Sequence, residues 1–306
     1  MSTLRLILGD QLSHQISSLS DIDKDKDTVL MAEVWEEATY VKHHPKKIAF
    51  IFSAMRHFAG ELEDKNISVL YTKLDSEDNT QSLKSELERA LQEKSYDKVV
   101  VTEPGEYRLL NDMKQWQEEF GVEVEIRDDD RFLATHEEFQ DWAKGRKQLL
   151  MEYFYREMRK KHKVLMQGNK EPAGGSWNFD KDNRQSLPDD IDIPKTMQFQ
   201  PDEVTKEVLT LVQDRFSDHF GDLEPFHMAV TRAEALRALN EFIELRLPKF
   251  GAYQDSMKQG EPWLFHSHIS YCLNSGLLTP GEVIEKAEKA YEQGHTPINS
   301  VEGFIR

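Results

Sequence analysis

The stretch DKVVVTEPGEYRLLNDMKQWQEEFGVEVEIRDD, Asp97–Asp129, changes period twice. It opens on a short β-rich run, residues 97–104. Leu109, Met113, Trp116 and Phe120 then recur at three- and four-residue spacing, which on a helix puts them on one stripe. Gly121 follows, the residue type that closes a helix in the left-handed conformation without a Cβ penalty. A second β-rich run, residues 122–129, starts at once. Three earlier runs resemble these two: LRLILG (4–9), DTVLMAEV (27–34) and ISVLYTKL (67–74). They are near-continuous in apolar residues rather than alternating, as strands buried on both faces are. Between the second and third, Ile48, Phe52, Met55, Ala59 and Leu62 form a helical stripe. Strands alternating with helices specify a parallel α/β sheet.

Beyond residue 133 the pattern changes. A basic amphipathic helix is expected over about 137–166. From Trp142 to Leu165 there are eight Lys or Arg against two Glu, a net of +6 in a chain whose overall net charge is −17. Two readings stay open: a site for one anionic partner, or a solvated helix face. Residues 167–203 are rich in Pro, Gly, Asn and Asp and read as a long linker, a kind of segment often tied to function. From about 202 onward the pattern is helical. Val204, Val208, Leu211 and Val212 share a register, Thr231 with Glu234 forms a capping box, and Thr279, Pro280 and Glu282 open a helix that Gly294 stops. In NSVEGFIR, Asn299 can cap and Glu302 sits at N3; the pattern looks like the front of a longer helical domain. The division is therefore 1–133, 134–201 and 202–306.

No apolar run approaches 18 residues, so no membrane span is expected. The chain has one cysteine, Cys272, too few for an internal disulfide or a cysteine-held cluster; a reducing, cytoplasmic setting fits. In EPWLFHSHISYCLNSGLLTP, His266, Ser267, His268 and Ser270 crowd the expected start of a helix. A helix beginning near Ser267 aims its first N–H groups and these side chains at one point, which suits phosphate. Plain capping by Ser267 is the competing reading. In the α/β part, the strand ends carry Asp10, Glu33 to Glu37 and Thr102 to Tyr107. Neither G-x-G-x-x-G nor G-x-x-x-x-G-K-[ST] is present. A flat, uncharged aromatic ligand suits such strand ends better than a triphosphate, unless these residues are caps and surface acids. No nucleophile–base pattern stands out, and no catalytic residue is assigned.

Six blocks together resemble a known group: LRLILGDQLS (4–13), EVWEEATYVKHHPKKIAFIFSAMRHFA (33–59), VVVTEPGEYRL (99–109), GGSWNFDKDNR (174–184), LPKFGAYQDSM (247–257) and LFHSHISYCLNSGLLTP (264–280). The group is the photolyase-related proteins of prokaryotes, the iron–sulfur bacterial cryptochromes and (6-4) photolyases. The resemblance covers essentially the whole chain. It implies a doubly wound α/β antenna domain followed by an all-α FAD-type domain. It also implies light-driven repair of pyrimidine (6-4) photoproducts in UV-damaged DNA by electron transfer from reduced FAD, with the cofactors carrying the chemistry.

Carried over, the resemblance places a 6,7-dimethyl-8-ribityllumazine antenna at Asp10, Ala32, Glu33, Glu37, Tyr40, Ile51 and Glu103. It places the FAD phosphates at Tyr253, His266, Ser267, Ile269 and Ser270, and DNA against Lys160, Lys161 and Arg184. Where other photolyases carry TSRLS this chain reads HSHIS, so a threonine hydroxyl and an arginine are absent. Family members run to roughly 500 residues, so the chain resembles an amino-terminal part. The [4Fe–4S] cysteines of the full-length family have no match here. On that basis weak or no FAD binding, no repair alone, a sticky helical half and a monomer are expected. A cryptochrome-like photoreceptor and an antenna-binding fragment are the alternatives.

Overall fold

The computed structural model describes residues 1–168 and 170–306. In chain order, the α/β part contains β1 (Thr3–Leu6), β2 (Thr28–Ala32), α1 (Trp35–Thr39), α2 (Pro45–Glu63), β3 (Ser68–Thr72), α3 (Leu83–Glu93), β4 (Lys98–Thr102), α4 (Tyr107–Met113), α5 (Trp116–Phe120) and β5 (Glu123–Arg127). Then come α6 (His136–Ala143), α7 (Met151–His162) and the two-residue strands β6 (Met166–Gln167) and β7 (Glu171–Pro172). The rest is helical: α8 (Glu203–Arg215), α9 (Arg232–Leu245), α10 (Leu247–Tyr253), α11 (Ser270–Ser275), α12 (Pro280–Glu292) and α13 (Ile298–Ile305).

All five expected strands form, in one sheet ordered β3-β2-β1-β4-β5 with every pairing parallel. β1 and β2 are buried throughout, and β4 nearly so. β3 and β5 are only half-buried. The expectation of strands covered on both faces therefore holds for the centre and fails at the two edges, where one flank has no neighbour. One face of the sheet packs Leu4, Leu6, Leu30, Val99 and Val101 against Leu83, Leu87, Leu109, Met113 and Trp116 of α3 to α5. Strand side chains alternate between faces, so Val29, Met31 and Val100, all buried, belong to the other.

Two expected helices are each broken in two. The stripe of Leu109 to Phe120 runs over α4 and α5, because the chain tightens at Lys114 and Gln115, where Gln115 N–H reaches Asp112 O at 2.9 Å. Gly121 closes α5 at φ 64°. The basic helix expected over 137–166 is α6 and α7 with an irregular link. Gly145 there sits at φ 74°, outside helical space. A capping box of Thr135 and Glu138 starts α6 at His136, within one residue of the expected start.

The chain divides into two compact units. The first is Met1–Asp130 with Gln198–Arg232 and Asn274–Leu277; the second is Arg131–Met197, Ala233–Leu273 and Leu278–Arg306. This differs from the sequence-based division, because α8 packs on α2 of the α/β unit. Its buried residues are Thr205, Val208, Leu209 and Val212, a face rotated from the expected stripe. The second unit is helical apart from the β6–β7 hairpin. Its linker is anchored rather than loose: buried Asn183 donates to Asn299 O at 3.1 Å and accepts from the Asn299 amide at 2.9 Å. Asn299 is therefore tied to the linker and does not cap α13, whose N-cap is Pro297. Glu302, fully buried, accepts from Tyr155 OH at 3.2 Å and Phe179 N–H at 3.1 Å. Among the described residues no helix is long and apolar enough to cross a membrane.

Candidate cofactor sites

The strand order reverses between β1 and β4, since the chain leaves β1 toward β2 and β3 and returns to its other side for β4 and β5. In open parallel sheets such a reversal leaves a crevice beyond the carboxyl ends of the strands. A cleft of about 250 Å³ lies there. Leu8, Gly9 and Asp10 follow β1, Ala32 and Val34 end and follow β2, and Pro104, Gly105 and Glu106 follow β4. Ile48, Ile51, Phe52 and Met55 of α2 supply an apolar wall. Gly9 is required by that wall. A Cβ at position 9 would stand 2.7 Å from Ile51 Cγ2 and 3.0 Å from Met55 Sδ.

Polar groups gather on the exposed side. Arg108 Nη2 donates to Glu37 Oε1 at 2.8 Å and Oε2 at 2.7 Å, and its Nε to Glu106 Oε1 at 3.0 Å. The same guanidinium lies 4.9 Å from the Tyr40 ring centroid, close enough for cation–π attraction. Burial lifts the Glu37 carboxyl above its ordinary value, against the pull of Arg108. Burial, then Glu106 and Glu37, raises the Tyr40 hydroxyl, so it stays a neutral donor. Burial and then Lys47 lower His43, whose Nδ1 is 3.2 Å from Lys47 Nζ. The arrangement can hold a flat ring against α2 and offer carboxylate acceptors to hydroxyls or ring N–H groups.

Of the antenna residues expected from sequence, Asp10, Ala32, Glu37, Tyr40 and Ile51 line this cleft. Glu33 and Glu103 do not. Glu33 is fully buried and turned to other partners: Arg56 Nε at 2.6 Å, Arg56 Nη2 at 3.0 Å, Tyr71 OH at 2.7 Å and Leu74 N–H at 3.0 Å. Through its backbone, Glu103 extends the sheet, N–H to Arg127 O at 2.7 Å. His43, Lys47, Glu106 and Arg108 were not singled out by sequence reasoning. Glu106 alone had a signal, since it lies inside the TEPGEY strand end.

The residues expected at the FAD phosphates lie in the second unit. The helix there begins at Ser270, three residues later than expected near Ser267, and α11 has only six residues. His268 at φ 56° separates Ser267 from the helix, so the joint aim expected of the two serines at one helix start is lost. His266 and Ser270 are exposed, Ser267 is half-buried, and Ile269 is buried in the core. The Tyr253 ring lies 5.6 Å from Phe265, and His266 meets Phe250 edge-on at 5.8 Å. The Trp263 ring abuts His268 at 4.4 Å.

The basic island is largely consumed internally. Arg159 is buried and donates to three carbonyls, those of Val164, Trp177 and Leu165. Arg156 pairs with Glu152, Lys160 with Glu157 and Lys161 with Glu138. Lys160 also lies 5.4 Å from the Trp177 ring centroid. Arg184 is exposed. Among the described residues no group of three or more His, Cys, Asp or Glu is placed to hold a metal ion.

The family model described as "Deoxyribodipyrimidine photo-lyase-related protein" matches residues 5–228. A (6-4) photolyase of Agrobacterium fabrum is 52% identical over 306 residues, which is 100% of this chain and 60% of that protein. An uncharacterized protein of Acanthamoeba polyphaga mimivirus is 23% identical over 193 residues, 59% of this chain and 94% of that protein. The crystal structure of a bacterial class III photolyase from Agrobacterium tumefaciens superposes with a TM-score of 0.59 at 12% identity, over 99% of this chain and 56% of that one. That likeness is one of fold. The chain thus spans about 60% of the length of its Agrobacterium fabrum relative.

Proposed function

We propose a light-driven role in DNA repair from one premise: the chain belongs to the deoxyribodipyrimidine photo-lyase-related protein family. The relative that is 52% identical is named a (6-4) photolyase, so the lesion class proposed is the pyrimidine (6-4) photoproduct in UV-damaged DNA. When bound, reduced FAD supplies the electron for the lesion, and an antenna chromophore supplies light capture. The observation that carries the reading into this chain is the cleft at the strand-order reversal, walled by Ile51 and Met55 and rimmed by Asp10, Glu37 and Tyr40.

A 6,7-dimethyl-8-ribityllumazine fits the chemistry of that cleft. Its ring is flat and uncharged, matching the apolar wall of α2. Its ribityl hydroxyls can donate to Asp10 and Glu37, and Tyr40 stays protonated to donate or pack. In the second unit, Ser267, Ser270 and His266 offer donors to the FAD diphosphate beside Tyr253, with Ile269 contributing backbone only. The short α11 and the left-handed His268 weaken the cradle relative to a long helix N-terminus. Lys160, Lys161 and Arg184 contribute phosphate contacts that position a duplex without reading its sequence. Lys160 and Lys161 must give up Glu157 and Glu138 to do so, exposed pairs of small worth. A [4Fe–4S] cluster does not fit this chain's residues: Cys272 is its single cysteine and is buried.

The test is an absorption spectrum of the purified chain with added ribityllumazine and FAD, followed by illumination with a (6-4) oligonucleotide. A shifted lumazine band is expected, with weak FAD uptake; any loss of the lesion, small or absent for this chain alone, is expected to require light. A lumazine spectrum indistinguishable from that of free ligand at saturating protein would overturn the antenna assignment. Lesion loss equal in dark and light would overturn the photochemical one.

A further inference from the structure

The rim of the cleft carries more charge than holding a neutral ring requires. Asp10, Glu37 and Glu106 all line it. Against these three carboxylates stand two full cations, Lys47 and Arg108. Arg108 is already committed on both edges, to Glu37 at 2.7 Å and to Glu106 at 3.0 Å, with its face on Tyr40. Lys47 Nζ lies against His43 Nδ1 at 3.2 Å. His43 adds no compensating charge near neutrality, since burial and Lys47 both hold it unprotonated.

We propose that the cleft selects chromophores whose polyol tail is unphosphorylated, with Glu37 and Glu106 as the specificity-determining residues. This rests on reading the cleft as the antenna site. A sugar-alcohol hydroxyl donates to a carboxylate and is accepted. A phosphate ester brings a charge of about −1.5 to −2 near neutral pH and only acceptor oxygens. It meets three carboxylates beside a single lysine, Lys47, and the guanidinium that could also pair with it is held by Glu37 and Glu106. Like charges in a half-exposed rim repel, and salt weakens that repulsion. The carboxylates thus act by exclusion as well as by attraction.

The experiment titrates the whole chain with 6,7-dimethyl-8-ribityllumazine and with its 5′-phosphate ester, which share one ring, and reads lumazine fluorescence. In low salt, near 0.05 M, the unphosphorylated form is expected to bind at least about tenfold more tightly, a gap that narrows near 0.5 M as the Debye length shrinks. Glu106→Gln frees an edge of Arg108 and removes one carboxylate, so the affinity of the phosphate ester relative to the parent lumazine rises. Glu37→Gln shifts the ratio the same way, by a second route. Gly105→Phe is the site control. A Cβ at Gly105 meets nothing closer than Asp10 Oδ2 at 3.8 Å, so the backbone accepts the substitution and the ring enters the rim. Equal or tighter binding of the ester by the unaltered chain overturns the proposal while leaving the cleft as the binding site. Binding of both ligands undiminished in Gly105→Phe instead overturns the cleft reading itself.

Discussion

Removing Arg56 should destabilise the α/β unit far more than removing both members of its ion pair. Glu33 is fully buried, and Arg56 supplies two of its four hydrogen bonds as well as its counter-charge. In Arg56→Met the carboxylate keeps only Tyr71 OH and the Leu74 N–H. An uncompensated buried charge costs about 3–5 kcal/mol. The two surviving neutral donors place the expected loss near the lower end, about 3 kcal/mol, a large part of the roughly 5–15 kcal/mol that a domain possesses. Glu33→Gln keeps shape and some bonding, and Arg56 retains Glu207 at 3.4 Å, so about 1.5–3 kcal/mol is expected, the range for a hydrogen bond to a charged group. The double change Arg56→Met with Glu33→Leu should fall within about 1 kcal/mol of the unaltered chain, because apolar replacement of a buried pair is often neutral. Urea unfolding followed by circular dichroism measures all three. If Arg56→Met shifts stability by less than about 1 kcal/mol, or the double variant is worse than the single, the description of Glu33 as a buried, Arg56-dependent carboxylate is wrong.

Gly9→Ala forces Ile51 and Met55 apart and should cost about 1–3 kcal/mol as overpacking, read as a lowered melting temperature with weakened lumazine binding. Cys272 is fully buried and its thiol is pushed up to about 12 by burial; a thiol reagent should leave the folded chain untouched and count one thiol in urea. Burial raises the Glu37 carboxyl above the ordinary glutamate value, so the folded state holds that proton more tightly than the unfolded one. Its stabilising contribution is complete below the ordinary value and fades as pH rises through the raised one. The melting temperature of Glu37→Gln relative to the unaltered chain should therefore improve from about pH 4 to about pH 8. The carboxylate of Glu282 accepts from Thr279 N–H at 2.6 Å; Glu282→Ala should cost about 0.5–2 kcal/mol, read in the unfolding of the second unit.

What was legible in the sequence was local. Strands β1, β2 and β4 announced themselves because an unbroken apolar run is what a doubly covered strand needs. Helices α2 and α12 did so through stripe, cap and stop residues a few positions apart. The misjudged features depend on partners distant in sequence. Asn299 looks like a cap until Asn183 is seen across 116 residues of chain. Glu33 looks like a strand-end ligand residue, yet Arg56 and Tyr71 claim it. The face that α8 buries is chosen by α2, so its own periodicity could not reveal it. Arg108, which organises the rim, was invisible because nothing in its neighbours indicates that Glu37 lies across from it. The basic island was counted correctly, but composition does not show which cations are already engaged by neighbouring acids.

The α/β unit is discontinuous in sequence, and this bears on its birth at the ribosome. Residues 1–130 leave the exit tunnel well before α8 has been made. With translation running at about 5–20 residues per second, α2 goes uncovered on its α8 side for roughly 4–17 seconds while the residues from Arg131 to Arg215 are added. During that interval an apolar surface is offered to chaperones and to sister nascent chains. A nascent chain arrested once residues 1–130 have emerged, but before α8 has, should be digested within α2 by a protease that spares α2 after α8 has left the tunnel.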